Sequence, residues 1–345
     1  MQEIQKKRPD FKSAAIKRKL IVLSDAEILG HRVLREGRSL PLVVEPKIAD
    51  VDLVDWSSAN RETVTQWLHK HGAILFRGFM MDDPSRFEQF AKSICEGPLF
   101  QENGEHPRQS IAGDVYTPVF YPRDQFLLWH NENSFNHQWP GKIWFACVQA
   151  ASRGGETPVV DSRSVYREMP SQIRERFERL GVMYVRNYGD GLGLNWQTVF
   201  QTSAREKVEE HCRQAGMQHE WKSGDRLRTK CVRPGVIRHP RTGEMSWFNQ
   251  AQHWHVSCLD NDTRTSIQTV FQEEDWPRHC YYGDGTPIET EEMQAILQVY
   301  SRLEEVFSWE RGDVLMLDNI LAAHARRAYE GTRQLLVAMG EMGRY

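Results

Sequence analysis

The sequence has no long hydrophobic run. Its apolar segments are far shorter than the roughly 18 residues that a membrane-spanning helix requires. The first twenty residues contain no apolar stretch of signal-peptide length either. We therefore expect a cytoplasmic protein that does not contact a membrane.

Cysteine is sparse, and its spacing is irregular. The six cysteines lie far apart and form no CxxC pair; they are Cys95, Cys147, Cys212, Cys231, Cys258 and Cys280. In a chain of this length without a signal segment, such spacing predicts reduced thiols and no disulfide framework. It also argues against a structural zinc site made of four thiolates.

The sequence lacks an excess of positive charge. Lys and Arg total 44 against 47 for Asp and Glu, which gives a net charge of −3. A dedicated nucleic-acid binder normally has a strongly basic surface, so we expect no nucleic-acid partner. The content of 40% apolar and 26% charged residues is close to the globular average and excludes a fully disordered chain.

Linkers and internal repeats are absent as well. The first forty residues are charged and lack a sustained apolar period. We therefore predict a poorly ordered or peripheral N-terminal segment over residues 1–39, followed by a single domain over residues 40–345. The oligomeric state stays open.

Short apolar segments dominate the chain beyond about residue 125. Turn-forming Gly, Pro, Asp and Asn separate them, a pattern that favours an antiparallel sandwich or barrel. Segments with helical periodicity interrupt this pattern. The sequence shows no alternation of strands and helices that would predict a parallel sheet. The prediction is a mainly β fold with helical insertions (α+β), with helices over residues 60–71, 163–180, 203–215 and 289–306 and a buried strand within residues 71–79.

Three residues carry metal-binding potential: His130, Glu132 and His324. Residues two apart on an extended strand point the same way, so His130 and Glu132 can face one cavity. A distant second histidine would complete the facial set of two histidines and one carboxylate that non-haem Fe(II) oxygenases use. Such a set leaves three coordination positions for a bidentate 2-oxo acid and O2.

The HxE pair alone is weak evidence. His137, His253 and His255 offer rival pairings, and a structural histidine beside a carboxylate is the simpler alternative. The order of the surrounding features favours the metal site, because a GGET turn follows the pair and Arg333 lies nine residues beyond His324. Arginine supplies a bidentate fork for a carboxylate, and Thr157 can add a hydroxyl donor.

Five ordered segments carry a resemblance to a known family. The sequence resembles the taurine dioxygenase-like family of Fe(II)/2-oxoglutarate-dependent oxygenases from about residue 40 to the end. The segments are HGAILFRGF (71–79), WHNENS (129–134), GGETPVVDS (154–162), RGDVLMLDN (311–319) and HARRAYEGTRQLLVAM (324–339). Within the family it is most similar to the HxE subgroup typified by the syringomycin-pathway aspartate hydroxylase. Residues 186–202 and 281–289 also resemble that subgroup.

The resemblance implies a double-stranded β-helix (jelly roll) that uses Fe(II), 2-oxoglutarate and O2. It implies that His130, Glu132 and His324 hold the iron, and that Thr157 and Arg333 grip the far carboxylate of 2-oxoglutarate. The implied reaction is hydroxylation of an amino acid or peptide-like acid, free or tethered to a carrier protein, in peptide antibiotic biosynthesis. Epoxidation or desaturation would use the same residues. A carboxylate at residue 132 argues against the halogenases of the superfamily, which have Gly or Ala there.

Substrate-side residues are less well defined. The family places such residues near Asn249 and Gln250, while Arg326 and Arg186 could each bind an anionic group of the substrate. Surface or ion-pair roles are the alternatives for both arginines.

Two other functional classes stay open at this point. A zinc hydrolase could use the same His/Glu/His set, although it would not need the Thr157 and Arg333 clamp for a 2-oxo acid. A non-catalytic jelly-roll binding protein is the other alternative, and an intact set of ligands argues against it.

Overall fold

The fold is built from strands and helices within residues 24–100, 108–189 and 193–345, which the computed structural model describes. In chain order the strands are β1 (Leu29–Val33), β2 (Leu42–Pro46), β3 (Ala73–Phe76), β4 (Ser110–Ala112), β5 (Val115–Tyr116), β6 (Leu127–His130), β7 (Gln138–Gln149), β8 (Arg153–Gly154), β9 (Val159–Asp161), β10 (Val182–Tyr188), β11 (Gln218–Lys222), β12 (Arg226–Arg233), β13 (Val236–Arg238), β14 (Met245–Trp247), β15 (Arg278–Tyr282), β16 (Val314–Asp318), β17 (Ala322–Arg326), β18 (Tyr329–Glu330) and β19 (Gln334–Arg344). The helices are α1 (Asp25–Ile28), α2 (Leu53–Ala59), α3 (Arg61–His71), α4 (Pro84–Ile94), α5 (Ser162–Glu168), α6 (Ser171–Leu180), α7 (Trp196–Phe200), α8 (Arg205–Gln214), α9 (Ala251–Trp254), α10 (Asn261–Val270) and α11 (Thr290–Leu303).

The main sheet has eight strands in the order β1-β2-β3-β16-β7-β19-β5-β4. Its pairs are antiparallel except for β2 and β3, which run parallel. Helices α2 and α3 connect these two strands, because a parallel pair needs a crossover between the ends of its strands. The expectation of no βαβ unit was therefore wrong for this one crossover.

A three-stranded sheet in the order β6-β17-β9 faces the main sheet. One buried cluster contains Phe145, Leu317 and Val337 of the main sheet together with Val159 and Ala322 of the smaller sheet. These side chains close the space between the two layers, and their removal from water stabilises the sandwich. The predicted antiparallel sandwich is confirmed.

Helices cover the outer faces of both sheets. Helices α2, α3 and α4 pack on the main sheet, and α5, α6 and α11 pack behind the smaller one. Strand β17 shows how the sequence orients its side chains. Ala322 belongs to the cluster between the sheets, whereas Ala323 and Ala325 belong to the outer cluster. His324 therefore points into the space between the sheets, since side chains alternate along a strand.

Three of the four predicted helices are present as single helices, namely α3, α8 and α11. The fourth is interrupted. The pattern over residues 163–180 is divided between α5 and α6. Met169 has an extended backbone (φ −62°, ψ 132°) and precedes Pro170. A proline disfavours helical backbone in the residue before it, so the helix ends there. No helix within the described ranges has the length and apolar character that crossing a bilayer requires.

Regular structure begins before residue 40, where the predicted domain starts. Strand β1 forms the edge of the main sheet, and its Leu29 is buried. Residues 1–23, 101–107 and 190–192 lie outside the described residues. The division into an N-terminal segment and one domain stays a prediction. All six cysteines are free thiols, as expected.

Leu317 tests the packing between the two sheets. It is fully buried on β16, and a buried Leu→Ala change typically costs about 2–5 kcal/mol of unfolding free energy. We expect a loss of this size for Leu317→Ala in urea unfolding. Val232 on β12 is 48% exposed, so Val232→Ala should stay within about 0.5 kcal/mol of the unmodified protein. Equal losses in both variants would contradict the assigned core.

Candidate active site

The two predicted histidine ligands lie directly opposite each other on neighbouring strands. His130 ends β6, and its Cα partner on β17 is His324. Both side chains are buried, and their ring centroids are 4.3 Å apart. The ring of Phe145 on β7 packs against His324 at a centroid distance of 5.1 Å. The site therefore lies between the two sheets.

Glu132 reaches this point from a turn, not from a strand as the sequence analysis assumed. Strand β6 ends at His130, and residues 132–135 form the turn that follows. The Glu132 Oε2 atom lies 3.7 Å from His130 Nε2 and 3.8 Å from His324 Nε2. The three side chains thus offer ligand atoms that all lie within 4.8 Å of one another.

Asn319 fixes the backbone of Glu132. Its side-chain oxygen accepts a hydrogen bond from the Glu132 amide at 2.7 Å, and its amide nitrogen donates to the carbonyls of Glu132 and Pro140 at 2.9 and 2.8 Å. The side-chain amide of Asn131 in turn donates to the Asn319 carbonyl at 2.7 Å. Both asparagines are fully buried. This double brace replaces the strand pairing that the turn lacks.

Side chains around helix α9 hold the free edge of β6. The amide of Gln250 donates to the carbonyl of Asn131, that of Gln252 to Trp129, and His253 Nε2 to Leu128 at 2.8 Å. These donors occupy positions that a further strand would otherwise fill. The sequence SWFNQAQHWH therefore positions the metal-site strand. Gln250 also lines the cavity.

Asn249 does not reach the cavity. Its side chain is fully buried, donates to the Gly235 carbonyl at 2.8 Å and accepts from the Ala251 amide at 3.1 Å. The structure thus uses this predicted substrate residue to hold the loop before α9.

The histidine tautomers suit a metal ion. His130 Nδ1 lies 2.9 Å from the carbonyl oxygen of Leu128 and must donate to it, because a carbonyl only accepts. In the neutral ring, the lone pair is then on Nε2, which faces Glu132. Burial, followed by the electrostatic effect of the adjacent His130, holds the pKa of His324 well below its ordinary value, which favours the neutral form of the His324 ring. Neutral imidazoles are the form that binds metals.

Glu132 is ionised although it is buried. Burial alone would raise its pKa, but the charge of Arg108 and the hydrogen bond with His130 hold the pKa well below its usual value. Arg108 Nη2 lies 2.9 Å from Glu132 Oε1, which leaves Oε2 toward the histidines. Two imidazoles and one carboxylate are the donor set of the facial triad. The residues therefore fit Fe(II).

Thr157 and Arg333 also lie together, as predicted. Arg333 Nη2 is 3.3 Å from Thr157 Oγ1, and its Nε donates to the Gly155 carbonyl at 2.8 Å. Trp309 Nε1 donates to the same hydroxyl at 3.1 Å. Burial lowers the pKa of Arg333 to about 10, which still leaves it charged at neutral pH. A cation and a hydroxyl thus lie side by side at the wall of the cavity.

The glycine pair before Thr157 is required by space. Gly154 and Gly155 have φ values of +70° and +76°, which side chains rarely adopt. A Cβ on Gly154 would lie 2.1 Å from the Ala328 carbonyl oxygen, and one on Gly155 would lie 3.0 Å from Arg333 Cδ. The turn can therefore approach the arginine only because both residues are glycine.

The two arginines suggested for the substrate have different positions. Arg326 lines the cavity, but its guanidinium donates to the carbonyls of Tyr121, Pro122 and Gln125 and so holds that loop. Arg186 lies on β10 with its guanidinium 4.7 Å from the ring centroid of Tyr188. The structure does not bring Arg186 to the cavity wall.

A cavity of about 990 Å³ connects the triad with the Thr157 and Arg333 pair. Its wall includes residues that were not singled out from the sequence, among them Arg108, Phe145 and Arg278. His253 packs edge-on against His130 at a centroid distance of 4.7 Å. The i, i+2 pair of His253 and His255 could be recognised in the sequence as possible lining of a pocket. Arg108 and Arg278 belong to no motif, so the sequence did not indicate their place in the cavity wall.

A second cluster of possible metal ligands is a hydrogen-bond network. His239 Nδ1 accepts from the backbone amides of Arg241 and Thr242, so the proton of the neutral ring lies on Nε2. Nε2 donates to Asp318 at 3.0 Å, and Asp318 also caps the backbone amides of Ile320 and Leu321. No lone pair of His239 is left for a metal. This cluster, which also includes His69, stabilises the turn before β17.

Comparison with known proteins identifies the family. The model of the taurine catabolism dioxygenase TauD, TfdA family matches residues 36–339. The chain belongs to this family. It is therefore a dioxygenase that uses Fe(II), 2-oxoglutarate and O2.

Two curated relatives match nearly the whole chain. The dapdiamide synthesis protein DdaC of Enterobacter agglomerans is 36% identical over 308 residues, which cover 89% of this chain and 93% of DdaC. A clavaminate synthase-like protein of Arabidopsis thaliana is 27% identical over 324 residues, with 88% and 94% coverage.

Solved structures show the same fold. PvcB from Pseudomonas aeruginosa has a TM-score of 0.54 and 16% identity, and the match covers 92% of each chain. PvcB is described as an Fe, alpha-ketoglutarate dependent oxygenase from an isonitrile synthetic pathway. A 2,4-D dioxygenase homologue from Burkholderia xenovorans has a TM-score of 0.52. The jelly-roll fold that the sequence resemblance implied is confirmed.

Asn319 tests the brace on Glu132. Asn319→Ala removes two hydrogen bonds to Glu132 in the turn and a third to Pro140 on β7. Loss of such outer contacts typically lowers metal affinity about 10–100-fold. We expect a loss of this size in an Fe(II) titration, with the thermal midpoint measured in parallel to exclude unfolding. Asn261→Ala on the exposed start of α10 is the matched control. Unchanged affinity in a folded Asn319→Ala variant would show that the turn holds Glu132 without this brace.

Proposed function

We propose that this dioxygenase oxidises a small amino acid or peptide-like acid, free or tethered to a carrier protein, in the biosynthesis of a natural product. Hydroxylation is the proposed outcome, with epoxidation or desaturation as alternatives at the same site. The observation that carries the proposal is one cavity that holds both the His130, Glu132 and His324 set and the Thr157 and Arg333 pair. The name of DdaC, which links that relative to dapdiamide synthesis, supports the proposed pathway class.

Each proposed ligand has a defined role. His130 and His324 would hold Fe(II) through Nε2, and Glu132 would hold it through Oε2. When bound, the iron supplies the power to oxidise an unactivated C–H bond while 2-oxoglutarate is converted to succinate and CO2. Arg108 keeps Glu132 ionised and so keeps a ligand charge available.

The clamp residues would orient the co-substrate. The far carboxylate of 2-oxoglutarate would accept hydrogen bonds from the Arg333 guanidinium and the Thr157 hydroxyl, which lie together in the cavity. A hydrolase has no use for such a pair. The Glu132 carboxylate further favours oxygenation over halogenation, because it fills a coordination position that a halide would need.

The apolar part of the wall would keep water away from the reacting centre. Phe145, Phe135 and Leu335 line the cavity beside the triad. The protein thus contributes geometry and a partly dry surface. We place this activity in the cytoplasm, in keeping with the free thiols.

His324 provides the direct test of the iron site. Since two ligands cannot hold the metal facially, His324→Ala should lose stoichiometric Fe(II) binding and all succinate formation from 2-oxoglutarate. His219→Ala on the exposed strand β11 is the control and should behave like the unmodified protein. A fully active His324→Ala variant would refute the assignment.

Arg333 tests the 2-oxoglutarate clamp. Truncating one partner of a buried charge pair typically costs about 2–5 kcal/mol, so Arg333→Ala should raise the KM for 2-oxoglutarate strongly and leave Fe(II) binding unchanged. The exposed Arg327, which pairs with Glu304, gives the control variant Arg327→Ala. If Arg327→Ala raises the KM and Arg333→Ala does not, the clamp has been assigned to the wrong cation.

A further inference from the structure

The cavity wall carries far more positive than negative charge. Its described lining contains five arginines and one carboxylate, that of Glu132. The arginines are Arg108, Arg123, Arg278, Arg326 and Arg333. A site that takes only 2-oxoglutarate needs one of these cations as a clamp. The other four arginines must therefore have other roles.

Three of the five arginines have partners that explain them. Arg108 pairs with Glu132, and Arg326 donates to three backbone carbonyls of the loop over residues 121–125. Arg333 contacts Thr157 and Gly155 at the proposed 2-oxoglutarate position. Each of these guanidinium groups is oriented by the protein before any ligand binds.

Arg278 differs from these three. It starts strand β15 at the edge of its sheet, retains exposed surface and lines the cavity. Within the described residues, its guanidinium has neither a hydrogen bond nor a carboxylate partner. Its cross-strand neighbour on β10 is Arg186, a second cation. Burial, followed by the charge of Arg186, lowers the pKa of Arg278. An anion would relieve both penalties.

Arg278 also lies near the metal ligands. Arg278, His253 and the three proposed metal ligands line one cavity. His253 in turn packs against His130 at 4.7 Å. A ligand bound to Arg278 can therefore extend across His253 toward the triad. Arg333, in the loop immediately before β19, lines the same cavity.

We propose that Arg278 binds a carboxylate of the organic substrate, which makes the substrate an organic acid anchored by this arginine. This inference rests on the proposed function, because it assigns one end of the substrate in the same cavity. Arginine offers two parallel N–H donors that match a carboxylate, and the pair is strongest where water is partly excluded. Arg123, which is exposed in the loop at the cavity, is the rival anchor.

The test measures binding separately from turnover. The protein is first loaded with Mn(II) and N-oxalylglycine, which stand in for Fe(II) and 2-oxoglutarate without turnover. It is then titrated calorimetrically with amino acids and small dicarboxylic acids. Each acid is compared with its own amide, in which one carboxylate is replaced by a carboxamide. For the best acid, we expect Arg278→Gln to raise the Kd about 30-fold, because the carboxylate loses a pair of charge-assisted hydrogen bonds. The Kd of the matching amide should not change, and Arg278→Lys should recover part of the affinity.

Two control variants sharpen the result. Arg179→Gln changes an exposed arginine on α6 that does not line the cavity, and it should leave all Kd values unchanged. The proposal is overturned if Arg123→Gln weakens acid binding and Arg278→Gln does not. It is also overturned if Arg278→Gln weakens acid and amide equally, or if no acid of the panel binds the unmodified protein.

A separate measurement, the formation of succinate, tests the proposed function. Conversion of 2-oxoglutarate to succinate by the unmodified protein in the presence of the acid panel reports the iron and clamp sites, and the control variant Arg179→Gln should leave the KM for 2-oxoglutarate unchanged. If the unmodified protein forms no succinate, the proposed function fails. If succinate forms normally and acid binding ignores Arg278, the substrate anchor alone fails.

Discussion

The antiparallel register between β6 and β17 is the constraint on which the site depends. It sets His130 opposite His324 in the space between two sheets. A slip of one residue would turn one imidazole out of that space, because side chains alternate along a strand. Strand β6 has only four residues and a neighbour on one side. Donors from Gln250, Gln252 and His253 on its other side fix the register that such a short strand could not hold alone.

Charge balance is the second organising feature. A buried carboxylate is costly unless a cation or hydrogen bonds compensate it, and Arg108 supplies that compensation for Glu132. The remaining wall is cationic, which means that the empty cavity is electrostatically less favourable than a cavity holding anions. Repulsion between these cations is therefore a cost to stability that a bound anion would reduce. Arg278 beside Arg186 is the clearest instance.

Local patterns predicted the parts of the fold and site that depend on neighbouring residues. Short apolar segments between turns predicted the sandwich, and the spacing around His130, Thr157 and Arg333 predicted residues that the structure brings to one cavity. Asn319 and Arg108 were missed, because each acts on Glu132 across a separation in sequence that no periodicity reveals. For the same reason the parallel pairing of β2 with β3 was not foreseen.

Assigning Glu132 to a strand failed for a related reason. Two residues at i and i+2 look the same in the sequence whether the strand continues through both or ends at the first. Here strand β6 ends at His130, the first of the two ligands. Tertiary bonds from Asn319 decide the outcome, and they come from a segment near the other end of the chain.

The mounting of Glu132 on a turn separates the two kinds of ligand mechanically. The histidines belong to a hydrogen-bonded ladder whose rungs are shared with neighbouring strands, so neither can move without disturbing the sheet. The carboxylate belongs to a loop that hydrogen bonds of Asn131 and Asn319 hold in place. Glu132 takes no part in that ladder, so a change of side chain at this position leaves the strand register unaltered. The two histidines thus depend on the sheet, whereas the carboxylate depends on a braced loop outside it.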